Sequence, residues 1–115
     1  MKKIDSWTVE AIKNNGAGVY SCDNTVVRIA PDGARIVELF GNKIFYINAR
    51  GVVFFTLAGW NTATTRARLN ALLHDYFNIG ISSRGGVAYV NDTPIEDGAW
   101  YIVRGGVVEK VTRFN

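Results

Sequence analysis

Two kinds of segment in this chain combine residue types that hold anions. The first is a helix entry, Gly59-Trp60-Asn61-Thr62-Ala63-Thr64-Thr65-Arg66-Ala67-Arg68. The unpaired N–H groups of a helix start, the hydroxyls of Thr62, Thr64 and Thr65, and the guanidinium groups of Arg66 and Arg68 are the parts of a phosphate site. The plainer reading is a strongly capped core helix with Trp60 packed beneath it, and we prefer it. Threonine is a poor helix former, however, so three in one turn ask for an explanation beyond helicity. The second kind is a recurring turn: Arg50-Gly51-Val52, Arg84-Gly85-Gly86-Val87 and Arg104-Gly105-Gly106-Val107. Here bare glycine backbone would let a phosphate approach arginine. The plainer reading, again preferred, is hairpin turns whose arginines are solvated.

Other chemistry is thin. Cys22 with His74, oriented by Asp75 or Asp23, would be the material for a nucleophile and base. With one cysteine and one histidine in the chain, neither a disulfide nor a zinc site is expected. No phosphate loop, HExxH, GxSxG or spaced carboxylate pair occurs, so neither catalysis nor a cofactor is expected. Arg50-Gly51-Val52-Val53-Phe54-Phe55-Thr56-Leu57 starts like the stacking strand of RNA-recognition domains. Val52 and Leu57 stand where aromatics are needed, and the order of elements is wrong for that fold.

The elements that must position these residues follow from periodicity. Leu69, Leu72, Leu73 and Tyr76 recur at helical spacing, which predicts a helix from about Thr62, capped by Asn61 or Thr62, to Phe77, stopped by Asn78 and Gly80. A shorter helix is expected from Ser6, as its cap, to about Asn14. Strands are expected at Val19–Ser21, Thr25–Ala30, Ala34–Phe40, Lys43–Asn48 and Val52–Leu57. After the long helix come Ile79–Ser83, Val87–Asn91, Ala99–Arg104 and Val107–Phe114. The last is an edge able to pair with a second copy. Asn91 to Gly98 reads as a long turn. The fold class is α+β: an antiparallel meander of six to eight short strands with two helices packed on it. The expected core is Ile44, Tyr46, Val53, Phe55, Leu69, Leu72, Leu73 and Tyr76.

With 115 residues, 48% of them hydrophobic and 20% charged, the whole chain, 1–115, reads as one globular domain. The longest apolar stretch, Gly51 to Trp60, is too short to span a bilayer, and Asp5, Glu10 and Lys13 interrupt any signal-like start. No membrane is therefore expected. The formal net charge of +3 comes from thirteen basic residues spread against ten acids. That permits nucleic acid or an acidic protein as partner but supplies no concentrated patch.

The run Gly59-Trp60-x-Thr62-x-Thr64-Thr65-Arg66-x-Arg68-Leu69-Asn70-Ala71-Leu72, followed later by Trp100-Tyr101, resembles a segment of small bacteriophage proteins that carry such a helix. The likeness covers about residues 40–102. It implies a phage gene product acting in the bacterial host cytoplasm. Small non-virion phage proteins commonly bind and block a host or defence complex, as anti-CRISPR and anti-restriction proteins do. Many of these imitate DNA and are acidic. The basic balance here points instead to an acidic protein surface or to nucleic acid. For a protein partner the anchors would be Trp7, Trp60, Trp100 or Tyr101, although each also suits a core. The candidate binding residues are thus Thr62, Thr64, Thr65, Arg66, Arg68, Arg84, Arg104 and Trp100. The alternative to a blocking protein is a small nucleic-acid-binding module built on the dispersed arginines.

Overall fold

Alternating apolar residues and two-residue turns fold the chain into ten strands. The computed structural model describes residues 2–14 and 16–112. Its elements are α1 (Lys3–Ile12), β1 (Gly18–Cys22), β2 (Thr25–Ile29), β3 (Arg35–Leu39), β4 (Asn42–Ile47), β5 (Val53–Thr56), α2 (Ala63–Phe77), β6 (Ile81–Arg84), β7 (Val87–Val90), β8 (Thr93–Ile95), β9 (Trp100–Arg104) and β10 (Val107–Lys110). Seven strands form one sheet in the order β1-β2-β3-β4-β5-β9-β10, and β6-β7-β8 form a second. Every pairing is antiparallel. The class is α+β, as the pattern predicts. The strands exceed the expected six to eight, and the division into two sheets is new.

The strand without a counterpart among the expected segments is β8, inside what reads as a long turn. Its Pro94 lacks the N–H of a ladder donor, yet proline is tolerated at a sheet edge, and β8 pairs on one side only. β10 ends at Lys110. Of the longer strand expected there, Arg113 and Phe114 lie outside the described residues. The first helix begins at Lys3 and not after Ser6. Lys2 occupies the cap position and offers no side-chain bond. α2 matches its expected range. The Thr62 hydroxyl accepts from the Thr65 N–H, and Asn78 closes the helix in the left-handed conformation at φ 59°.

Leu69, Leu72 and Leu73 of α2 are fully buried against the large sheet, where Val27, Val37, Phe45 and Phe55 are equally inaccessible. Tyr76, expected in the core, is 37% exposed. Its place on the helix's buried face is taken by Ala71, Thr65 and Arg68. Tyr46, also expected in the core, is half-buried and stacks on Phe54, with ring centroids 5.7 Å apart. Leu72→Ala should lower unfolding free energy by about 2–5 kcal/mol, the usual cost of such a cavity. Urea unfolding measures it, and a loss below about 1 kcal/mol would mean that this helix face does not pack as described.

The meander has two distinct ends. Register places Arg35, Ile47, Val53 and Val103 in one row, next to the turns around Asp32, Arg50 and Arg104–Gly106. The opposite end carries the β1–β2 turn at Asp23-Asn24, the β3–β4 turn at Phe40-Gly41, and the β5 exit at Ala58-Gly59 that leads into α2.

Candidate protein-docking pocket

Three left-handed residues other than glycine or asparagine occur among the described residues, and all three lie at the second end: Asp23 at φ 53°, Phe40 at φ 50° and Ala58 at φ 55°. Phe40 and Ala58 sit in matching turns. Leu39-Phe40-Gly41-Asn42 and Leu57-Ala58-Gly59-Trp60 each put a non-glycine and then a glycine at positive φ between a buried leucine and the next element. This is the mirror-image turn that hairpins prefer, where asparagine or glycine is usual at the first position. An L-residue held left-handed costs roughly 1–2 kcal/mol, and an aromatic has no side-chain hydrogen bond to offset it. Nor does burial offset it, since Phe40 is 70% exposed.

Between the two turns lies a cavity of about 430 Å³. Leu39, Ile44 and Leu57 line it as buried apolar walls, and Phe40, Asn42, Ala58, Trp60 and the threonines at the start of α2 form the rest of the lining. Trp60 is 59% exposed, so it rims this opening and does not pack beneath the helix. The three crowded threonines now have separate tasks. Thr62 caps the helix, with its Oγ1 taking the Thr65 N–H at 3.2 Å. Thr65 is buried and its hydroxyl lies 3.0 Å from that of Thr62. Thr64 is exposed at the pocket wall.

The expected arginines do not converge. Arg68, read as a flank residue able to meet an anion, is 3% exposed and forms a buried ion pair with Asp5. That places it in the interior. Arg66 reaches the Asn61 side-chain oxygen at 2.5 Å. Asn61 in turn donates to Ser83 Oγ and the Gly86 carbonyl, both at 3.2 Å, which ties the helix entry to the β6–β7 hairpin. Arg84 lies over the Tyr89 ring, 4.0 Å from its centroid, and 3.9 Å from an Asp92 oxygen. Arg104 is exposed at the other end of the meander, away from the Thr62 turn. Trp100 lines a separate cleft with Ile36, Lys43 and Tyr46. Trp7 is half-buried, and Tyr101 is buried with its hydroxyl accepting from the Glu96 N–H at 2.7 Å. No hydrogen bond joins Cys22 to His74, and among the described residues no cluster of metal-binding side chains occurs.

A family model described as Kyanoviridae Gp96 protein matches residues 1–108. The chain belongs to this bacteriophage family. The matched residues include both helices, β1 to β9 and every residue that lines the pocket. Nothing among curated proteins or solved structures matches the chain. No described helix of this Gp96-family chain is long and apolar enough to cross a membrane.

Phe40 is the site residue that the sequence pattern hides, because it reads as the end of a strand. Its signal is the pair Phe40-Gly41 between Leu39 and Asn42. An aromatic stands where a two-residue turn calls for asparagine or glycine.

Proposed function

We propose that this phage protein is an interaction module, not an enzyme, that binds a host or defence complex in the host cytoplasm and blocks it by occlusion, in the manner of an anti-CRISPR. The docking element is the apolar pocket rimmed by Phe40 and Trp60. The observation that carries this reading is Phe40, an exposed aromatic held in a costly backbone conformation beside that pocket. Strain of this kind collects at functional sites. Aromatic anchors beside a desolvated pocket are the usual source of binding energy. The arginines are divided between the two ends of the sheet, with Arg68 inside, and such a layout favours a protein over a nucleic-acid partner.

Phe40→Asn separates stability from binding. It should raise unfolding free energy by about 1 kcal/mol, because asparagine suits the left-handed position, and raise the melting temperature by about 4 °C. The same change, or Trp60→Ala, should weaken partner binding about 30-fold, the equivalent of about 2 kcal/mol. Affinity capture from infected-host lysate, with and without nuclease, checks the second part. A partner retained after nuclease and lost with Phe40→Asn/Trp60→Ala fits the proposal. Equal capture by wild type and variant removes the pocket as the interface. Capture abolished by nuclease supports the nucleic-acid reading instead.

A further inference from the structure

The two sheets present four edges, and three are guarded. At β6, the Asn70 side chain donates to the Ile81 carbonyl at 3.0 Å and accepts the Ile81 N–H at 2.6 Å, filling the place of a neighbouring strand. At β8, Pro94 removes a donor. At β10, Glu109 and Lys110 put charges on the edge, and Lys110 is held by Glu96. Proline, charge and a covering side chain are the devices that keep edges from pairing. The fourth edge, β1, has none of them. Its sequence Gly18-Val19-Tyr20-Ser21-Cys22 is uncharged and proline-free. It ends the seven-stranded order, with no described strand beyond it.

Hydrogen-bond alternation fixes which of its backbone groups are unused. The outer bonds flanking β2 run through even-numbered residues: Ala30 N–H donates to the Ala34 carbonyl, and Phe40 N–H to the Asn24 carbonyl. Thr25, Val27 and Ile29 therefore turn their N–H and C=O groups toward β1, where they face Cys22, Tyr20 and Gly18. Val19 and Ser21 are left pointing their donors and acceptors outward. Val19 is also 58% exposed, beside an apolar cleft that includes Ala30, Pro31, Ala34 and Ile36.

We infer that β1 is a homodimer interface, paired antiparallel with β1 of a second copy about a two-fold axis at Tyr20. This goes beyond the pocket reading and does not depend on it. The five-residue strand is symmetric about Tyr20. In this register each Val19 exchanges two backbone hydrogen bonds with the second copy's Ser21, so all the outward groups of both residues are used. Tyr20 faces its own equivalent across the non-hydrogen-bonded position, where side chains lie closest and aromatic pairs are favourable. No charge meets a like charge, although each chain carries a net +3. β10 fails this criterion. Val111 N–H bonds the Trp100 carbonyl, so Val108 and Lys110 are the outward residues there. Matching them in the same way would oppose Glu109 to Glu109.

Analytical ultracentrifugation of the full chain at about 0.1 mM, with amide exchange at two concentrations, tests the inference. The expected mass is twice 12.7 kDa. Val19 and Ser21 amides should exchange at least about tenfold more slowly at the high concentration, since among the described residues none accepts from them. Val19→Lys/Ser21→Lys puts lysine opposite lysine twice and should give a monomer with an unchanged circular dichroism spectrum. Mixing it with Val19→Glu/Ser21→Glu should restore a dimer. A monomeric wild type, a dimer that survives the lysine variant, or fast Val19 and Ser21 exchange in the dimer would each overturn it. The exchange result decides the matter even if the lysine variant does not fold.

Discussion

Asp5→Ala should destabilise the protein by about 3–5 kcal/mol, more than any surface substitution on the molecule. Asp5 and Arg68 are 4% and 3% exposed and pair directly. Arg68 Nε also donates to Thr25 Oγ1 at 3.1 Å, and its remaining terminal nitrogen to Asn24 Oδ1 at 3.4 Å. One guanidinium thus ties α1 and α2 to the β1–β2 turn. Removing the carboxylate leaves a buried cation with neutral acceptors only, and the desolvation cost goes uncompensated. Typical domain stabilities are about 5–15 kcal/mol, so the loss takes a large share of the whole. Asp5→Leu/Arg68→Met should recover most of it, because an apolar pair of similar size needs no desolvation of charge. Urea unfolding of the three chains decides. A loss under about 1 kcal/mol for Asp5→Ala would show that water reaches this pair. The exposed pair Arg28–Glu38, 2.9 Å apart, is the contrast, and its loss should cost no more than about 1 kcal/mol.

The ion pair also marks where sequence reading stops. Charged residues on a helix flank read as solvated, and nothing local to Arg68 says otherwise. Its partner is 63 residues away, on a helix that starts before the Ser6 cap its sequence suggests. Ser6 has a capping side chain by type, but α1 is already under way at Lys3, and the helix is fastened through Asp5. α2 was legible because its leucine spacing, its Thr62 cap and its Asn78 stop agree with one another. The candidate site was half legible. The sequence marks the crowded threonines and Trp60, whereas Phe40 comes to the pocket by way of a neighbouring hairpin turn. The arginines carried the anion reading by residue type alone. Sheet register then sends Arg104 to the far end of the meander.

Phe45→Ala and Tyr46→Ala form the second decisive comparison, since strict alternation along β4 puts Tyr46 inside with Ile44. The register between β3 and β4 shifts at Val37/Glu38: Val37 faces Phe45, while Glu38 faces Lys43. The extra residue in β4 is Ile44, and such a bulge breaks the two-residue period. Ile44 and Phe45 are consequently both buried, at 1% and 0%, and Tyr46 turns to the other face. Phe45 packs in the main core, 6.2 Å from the Tyr76 ring. Its truncation should cost about 3–5 kcal/mol. Tyr46 loses a stack on Phe54 at a half-buried position, and its truncation should cost about 1–2 kcal/mol. Unfolding in urea with matched slopes measures both. The reverse ranking would mean that β4 has no bulge and that the pleat alternates without interruption from Ile44 to Tyr46. In that case Ile44 would keep its place in the wall of the Phe40–Trp60 pocket and Phe45 would leave the core, because the bulge is what turns Ile44 and Phe45 inward together.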